Sequence, residues 1–187
     1  MVEFESQNEL AAFRYLETNP CVHGYWEQPC VVYYVDGAIE RKYYPDICIH
    51  YEDRKELWEV KAAPELANED LIYRTRLLTP ALADWGFDYR LVVGEVLMQQ
   101  PQYANIQLLL RHRRRSVSIR EYESLRLTAQ KLNRLTWGKA SAGNYGPNGR
   151  AILSTLTIAG FLSVDLSKRI EGGAEFRMRE EVQDGRR

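Results

Sequence analysis

No stretch of the 187 residues approaches the roughly 18 apolar positions that a membrane span needs, so no transmembrane helix is predicted and no membrane partner is expected. The opening residues MVEFESQNEL have neither the basic nor the apolar region of a secretory signal. Cysteine is scarce and unpaired in pattern. Cys21, Cys30 and Cys48 are odd in number and lack C-x-x-C spacing, which excludes a disulfide framework and a zinc site and points to a reducing, cytoplasmic setting. With Gly 12 and Pro 7, the chain has too little of either for a low-complexity or disordered sequence. It has no internal repeat. What remains is a chain long enough for one medium domain, or a small domain with a smaller companion.

Net charge is also nearly absent, at −1, which taken alone argues against a nucleic-acid partner. Mapped along the chain it does not. Residues 1–110 hold 9 basic and 18 acidic side chains, and residues 111–170 hold 12 basic and 3 acidic. The sign changes at Arg111, Arg113, Arg114 and Arg115, which suggests domains at 1–112 and 113–187. An anion-binding second half and a first half whose acids hold cations follow from that asymmetry, as does a plain solvated charged face.

Residues 5–18 carry Leu10, Phe13 and Leu16 or Tyr15 at helical spacing, and Asn19-Pro20 ends the run. Val31–Val35 and Ile39–Tyr44 read as strands joined at Asp36-Gly37. Strands at Asp46–Tyr51 and Glu56–Lys61 follow, separated by the turn Glu52-Asp53-Arg54. A helical stretch runs from Pro64 to about Leu82, with Leu66, Leu71, Ile72, Leu77 and Leu78 as its apolar side. Tyr89–Val96 is largely apolar and reads as a buried strand, with Trp58 and Trp85 read as core. This order predicts an α/β domain, a sheet flanked by helices. The remainder differs: a helix over Ile119–Leu135 (inward Tyr122, Leu125, Leu127, Ala129, Leu132), a Gly- and Asn-rich connection, a helix over Arg150–Phe161, then LSVDL and AEFRM as a hairpin. Helices followed by a hairpin in a basic unit of this size suggest a small winged-helix-like domain.

The chemistry concentrates between Tyr44 and Lys61. Alternate residues of a strand share a face, so Glu59 and Lys61 point together, and the hairpin 46–61 lays Asp46 beside Glu59. Two adjacent carboxylates repel unless a cation intervenes, and Mg²⁺, with its preference for oxygen, meets that need. A hard cation on one or two carboxylates, completed by water and a substrate phosphate, fits phosphodiester hydrolysis. Lys61 is then placed to orient the attacking water and offset developing charge; service as the base itself requires a strongly lowered pKa. His50 shares the face of Asp46 but lies about 13 Å along the strand. Trp137 beside Lys139 suits either a nucleic-acid contact or burial against a helix.

The run P-D-x(12)-E-V-K resembles the metal motif of the PD-(D/E)xK nuclease superfamily. Its surroundings, S-x-x-E at 6–9, E-Q-P at 27–29, Y-Y-P-D-I and L-W-E-V-K, are similar to the TnsA-type transposon endonucleases over about residues 3–96. That resemblance implies a restriction-endonuclease-like mixed sheet flanked by helices, and a small winged-helix-like domain after it. It implies metal ligation by Asp46 and Glu59, a catalytic role for Lys61, an additional metal-site acid at Glu9 and a site-adjacent Gln28. The expected activity is Mg²⁺-dependent DNA cleavage, with Mn²⁺ able to substitute. The implied setting is transposon ends in the nucleoid-bearing cytoplasm, beside a DDE-type transposase and an ATPase regulator; cutting two ends favours a homo-oligomer. Backbone-directed DNA contacts are expected from Arg111, Arg113, Arg114, Arg115, Lys139 and Arg150. The alternatives are a stand-alone repair or junction-resolving nuclease of a phage or mobile element, and a catalytically silent DNA-binding assembly factor. A purely structural salt-bridged triad is the bland reading of the same three residues.

Overall fold

A computed structural model of the chain describes residues 6–114, 116–132 and 134–179. They form two compact units. The first runs to Glu17 and resumes over Cys21–Gln99; the second has Thr18–Pro20 and the chain from Gln100 onward.

The first unit is mixed α/β. Helix α1 (Gln7–Glu17) starts at Ser6, whose Oγ accepts the Glu9 N–H at 3.2 Å. Strands β1 (Gly24–Glu27), β4 (Ile47–His50), β5 (Lys55–Lys61) and β6 (Phe87–Val93) form one sheet in the order β1-β4-β5-β6. The first two pairings are antiparallel, and β5–β6 is parallel. Between β1 and β4 the chain makes a separate hairpin, β2 (Val32–Asp36) with β3 (Ile39–Tyr43). Its two-residue loop is Gly37-Ala38, with Gly37 at φ +62°, one residue beyond the Asp36-Gly37 turn read from the sequence. A 3₁₀ turn (Ala63–Ala67) leads into α2 (Glu69–Asp84), capped by the Asn68 side chain accepting from the Leu71 N–H. The short α3 (Gly94–Leu97) follows β6.

Strand alternation divides the core. Ile47, Ile49, Trp58 and Val60 pack against Ala12, Phe13 and Leu16 of α1. On the other face Leu57 and Tyr89 pack with Leu78 and Leu82 of α2, and the hairpin adds Val32 and Tyr43. Three expectations change here. The apolar segment read as the buried strand Tyr89–Val96 is an edge strand, Phe87–Val93, in which only Tyr89 is fully buried, because no strand covers its outer side. Trp85 is 68% exposed: it is the C-cap of α2, past the last buried turn. Of the expected apolar side of α2, Ile72 faces solvent, while Leu82 is buried.

The second unit comprises α4 (Gln102–His112), α5 (Ile119–Leu132), β7 (Leu135–Thr136), α6 (Trp137–Ser141), α7 (Gly149–Ile158), β8 (Leu162–Val164) and β9 (Glu175–Met178). Its three strands run antiparallel in the order β7-β9-β8. The division falls at Gln99/Gln100 rather than 112/113. The basic run begins in the last turn of α4, where cations complement the helix dipole, so the charge break marks a helix end inside a unit. The sequence pattern placed no helix over Gln102–His112, and it read the connection holding α6 as a loop. Ser118 and Glu121 cap α5 reciprocally: Ser118 Oγ accepts from the Glu121 N–H, and Glu121 Oε2 accepts from the Ser118 N–H. Helix α5 buries Leu125 and Ala129, whereas Leu127, on its opposite side, and Leu132, its last residue, both expected inward, are exposed. Helix α7 is the most enclosed, with Ile152, Leu153, Ser154 and Leu156 buried. No helix among the described residues is long and apolar enough to cross a membrane.

Candidate active site

The first sheet brings Asp46, Glu59 and Lys61 together. Asp46 enters β4 one residue before Ile47, which pairs with Trp58, so Asp46 lies opposite Glu59 on β5. Three backbone-directed bonds fix Asp46: its N–H donates to Trp58 O (3.0 Å), its C=O accepts from the Gln28 N–H (2.9 Å), and Oδ2 accepts from the Val60 N–H (2.7 Å). Gln28, site-adjacent in the sequence reading, acts here through its backbone. Its φ of +40° is in the left-handed region, strained for a residue with a side chain, and occurs where the chain turns from β1 toward Pro29.

Lys61 Nζ lies 3.0 Å from Glu59 Oε1 and 3.9 Å from Asp46 Oδ2. Glu59 is 3% exposed and has a second cation: Arg74 of α2 donates from Nη2 to the same Oε1 at 2.7 Å. Burial pushes the Asp46 carboxyl up to about 6; the Val60 N–H opposes this, the Glu59 charge adds to it, Lys61 opposes it and Glu9 adds a smaller push. For Lys61 burial acts downward, but Glu59, then Asp46 and Glu65, outweigh it, and its pKa is raised. In this arrangement Lys61 is a held ammonium, suited to donating hydrogen bonds and offsetting negative charge rather than removing a proton.

Glu9 is near enough to influence Asp46, yet its Oε1 accepts from Ser6 Oγ at 3.3 Å. The S-x-x-E motif thus doubles as the start of α1. Among the described residues no group of three or more His, Cys, Asp or Glu side chains is gathered as a metal cluster, so the structure does not bring Glu9 together with Asp46 and Glu59 in one. Asp46 and Glu59 are the pair able to hold a hard cation. Their chemistry fits one: both are oxygen donors, Glu59 Oε2 is buried without a hydrogen bond of standard geometry among the described residues, and a cation would relieve both the burial that chiefly raises Asp46 and the smaller push from the Glu59 charge. His50 is exposed at the opposite end of β4.

The sequence reading missed Arg74, Thr75, Tyr43 and Tyr89, which enclose Glu59 from behind. Arg74 Cζ lies 5.0 Å from the Tyr43 ring centroid, and the Tyr43 and Tyr89 rings meet edge-on at 6.1 Å. Burial first, and the Glu59 charge second, raise the pKa of both phenols. Their hydroxyls, Thr75 Oγ1 and Arg74 Nε are buried without a hydrogen bond of standard geometry among the described residues. One signal pointed to this group: positions 74 and 75 fall within the inward stripe Leu71, Leu78, Leu82, where a charged side chain needs a partner.

In the second unit Arg111, Arg113, Lys139 and Arg150 are exposed. Burial lowers the pKa of His112, and Arg150 and Arg111 lower it further, so cations from the end of α4 and the start of α7 converge on that ring. Arg114 is otherwise engaged. Its Nη1 donates to Glu121 at 2.7 Å and its N–H donates to Thr155 Oγ1 at 2.9 Å, tying it to α5 and α7 as a structural residue. Arg115 lies outside the described residues. Trp137 is buried and stacks on Phe176 at 5.9 Å, which settles its two readings in favour of burial. No protein-family model matches the chain, and no curated protein matches it either.

Proposed function

We propose that the chain is a metal-dependent DNA endonuclease, with Asp46 and Glu59 holding Mg²⁺ and Lys61 contacting the scissile phosphate. The observation carrying this reading is the convergence of two carboxylates from adjacent strands with one ammonium reaching both, at 3.0 and 3.9 Å. Mg²⁺, when bound, supplies Lewis-acid charge beside the phosphate. Asp46 is held by backbone bonds at three points, so its carboxylate direction is preset, and Glu59 is aimed by Arg74. Lys61, kept charged by its carboxylate neighbours, donates to a phosphate oxygen or to the attacking water.

The second unit supports a DNA-binding role. Its order of two helices, strand, two helices and two strands, with sheet order β7-β9-β8, suits the winged-helix-like reading. The enclosure of α7 favours its exposed N-terminal Arg150, with Arg111, as the backbone contact. Replacing both by Gln is expected to flatten the plot of log affinity against log salt by about 1.8, at roughly 0.9 per phosphate contact. Fluorescence anisotropy on a duplex across a salt series measures it, and an unchanged slope makes the pair ordinary solvated surface.

The task of cutting at transposon ends, beside a DDE-type transposase and an ATPase regulator, rests on the resemblance of the motifs. A DNA-binding assembly factor with a silent site is the second reading, favoured because Lys61 and Arg74 both already occupy Glu59 Oε1. Supercoiled plasmid incubated with the purified chain and Mg²⁺ or Mn²⁺, alone and with products of neighbouring genes, separates these. Cleavage only with partners supports the transposon role, cleavage by the chain alone a stand-alone repair enzyme, and none in any mixture overturns the nuclease.

A further inference from the structure

We infer that Arg74 is a positioning residue of this site, aiming the Glu59 carboxylate toward the cation, an inference that rests on the metal-site reading of Asp46 and Glu59. Arg74 stands in the apolar stripe of α2, between Leu71 and Leu78, where an apolar side chain would complete the packing. An ion pair there, with Glu59 buried and Arg74 half-buried, is a poor source of stability, since apolar pairs of similar volume serve as well or better. Its geometry is defined from two sides. The guanidinium donates to Glu59 Oε1 at 2.7 Å, while its Cζ lies 5.0 Å from the centroid of Tyr43. Arg keeps its charge and its planar fork of donors, which suits it to holding one carboxylate oxygen in a fixed direction. Lys61 uses the same oxygen at 3.0 Å and is free to leave for a phosphate while Arg74 stays.

Coulomb's law and positioning predict opposite effects. Removing a cation beside a metal site tightens metal binding if charge alone matters. If Arg74 sets the direction of Glu59, removing it loosens binding by about 10-fold or more, the range for outer partners that orient a ligand. The experiment is Mn²⁺ titration of the full chain by isothermal calorimetry, with circular dichroism to follow folding, for the wild type, Asp46→Ala, Arg74→Gln and Arg74→Lys. Loosened binding by Arg74→Gln, with Arg74→Lys intermediate because an ammonium lacks the planar fork, is the expected result. Binding by folded Arg74→Gln at wild-type strength or tighter overturns the inference. Should Arg74→Gln not fold, Arg74→Lys decides: weakened binding supports positioning, and unchanged binding overturns it. Identical Mn²⁺ binding by wild type and Asp46→Ala removes the metal site itself, a failure of the underlying reading rather than of Arg74 in particular.

Discussion

Asn105→Ala is expected to destabilise the second unit by about 3–5 kcal/mol, because it strips partners from three backbone groups at once. Asn105, on α4, is almost fully buried. Its Nδ2 donates to Leu166 O (2.9 Å) and Lys168 O (2.8 Å), and its Oδ1 accepts from the Ile170 N–H (2.9 Å). An amide supplies two donors and an acceptor in one plane, and no other side chain of that size does. The bonds hold the loop between β8 and β9 so that Ile170 inserts among Leu109, Trp137 and Phe176. Without them the carbonyls of Leu166 and Lys168 must find water, and Ile170 loses its anchor to the core. Asn105→Asp keeps an acceptor for Ile170 but sets a carboxylate against two carbonyl oxygens, so it is expected to be at least as damaging. Hydrogen exchange by mass spectrometry on peptides from α7 and β9 measures the change. A loss below 1 kcal/mol for Asn105→Ala would show that loop packing, not this clamp, carries the stability.

The sequence pattern reads local periodicity and short turns well, which is why the hairpin 46–61 and its register were legible. One strand pairing closed by a short turn at Glu52-Asp53, where the Tyr51 N–H donates to Arg54 O, leaves little choice of which side chain opposes Asp46. The α/β class with a helix-flanked sheet followed from the same signals; that the sheet is mixed was an implication of the motif resemblance. Asn105 was not legible, because its partners are 61 to 65 residues away and nothing local marks it. Arg74 and Thr75 were passed over because polar residues in a helix read as solvent-facing until the stripe around them is traced. The β-branched and aromatic residues of β6 indicate a strand but cannot reveal whether a neighbour covers its second edge. The basic run at Arg111 looked like a boundary because charge asymmetry is a property of composition, whereas the compact units divide where contacts thin, before α4.

For the nuclease reading, Asp46→Asn is expected to lower Mg²⁺-dependent plasmid cleavage by about three orders of magnitude or more, removing one of the two anionic ligands from Lewis-acid chemistry. Asn keeps an oxygen for the Val60 N–H, so the β4–β5 register and the fold should survive, and DNA binding by the second unit should be unchanged. Lys61→Gln is expected to cost about 10²–10³-fold, as loss of one charge-stabilising donor does. Glu59 then still has Arg74 at 2.7 Å, so the loss is not a collapse of the pair. Undiminished Mg²⁺-dependent cleavage by both variants removes the site assignment. The role of Lys61 is then open to a finer test, because its carboxylate neighbours raise its pKa and keep it protonated across neutral pH. A held cation tolerates replacement by another cation, whereas a general base does not, since Arg cannot give up its proton. Lys61→Arg should therefore retain measurably more activity than Lys61→Gln, with no new ionisation in its pH profile. Equal inactivity of the two would return proton transfer to Lys61 and require the metal to reverse the direction of its pKa shift.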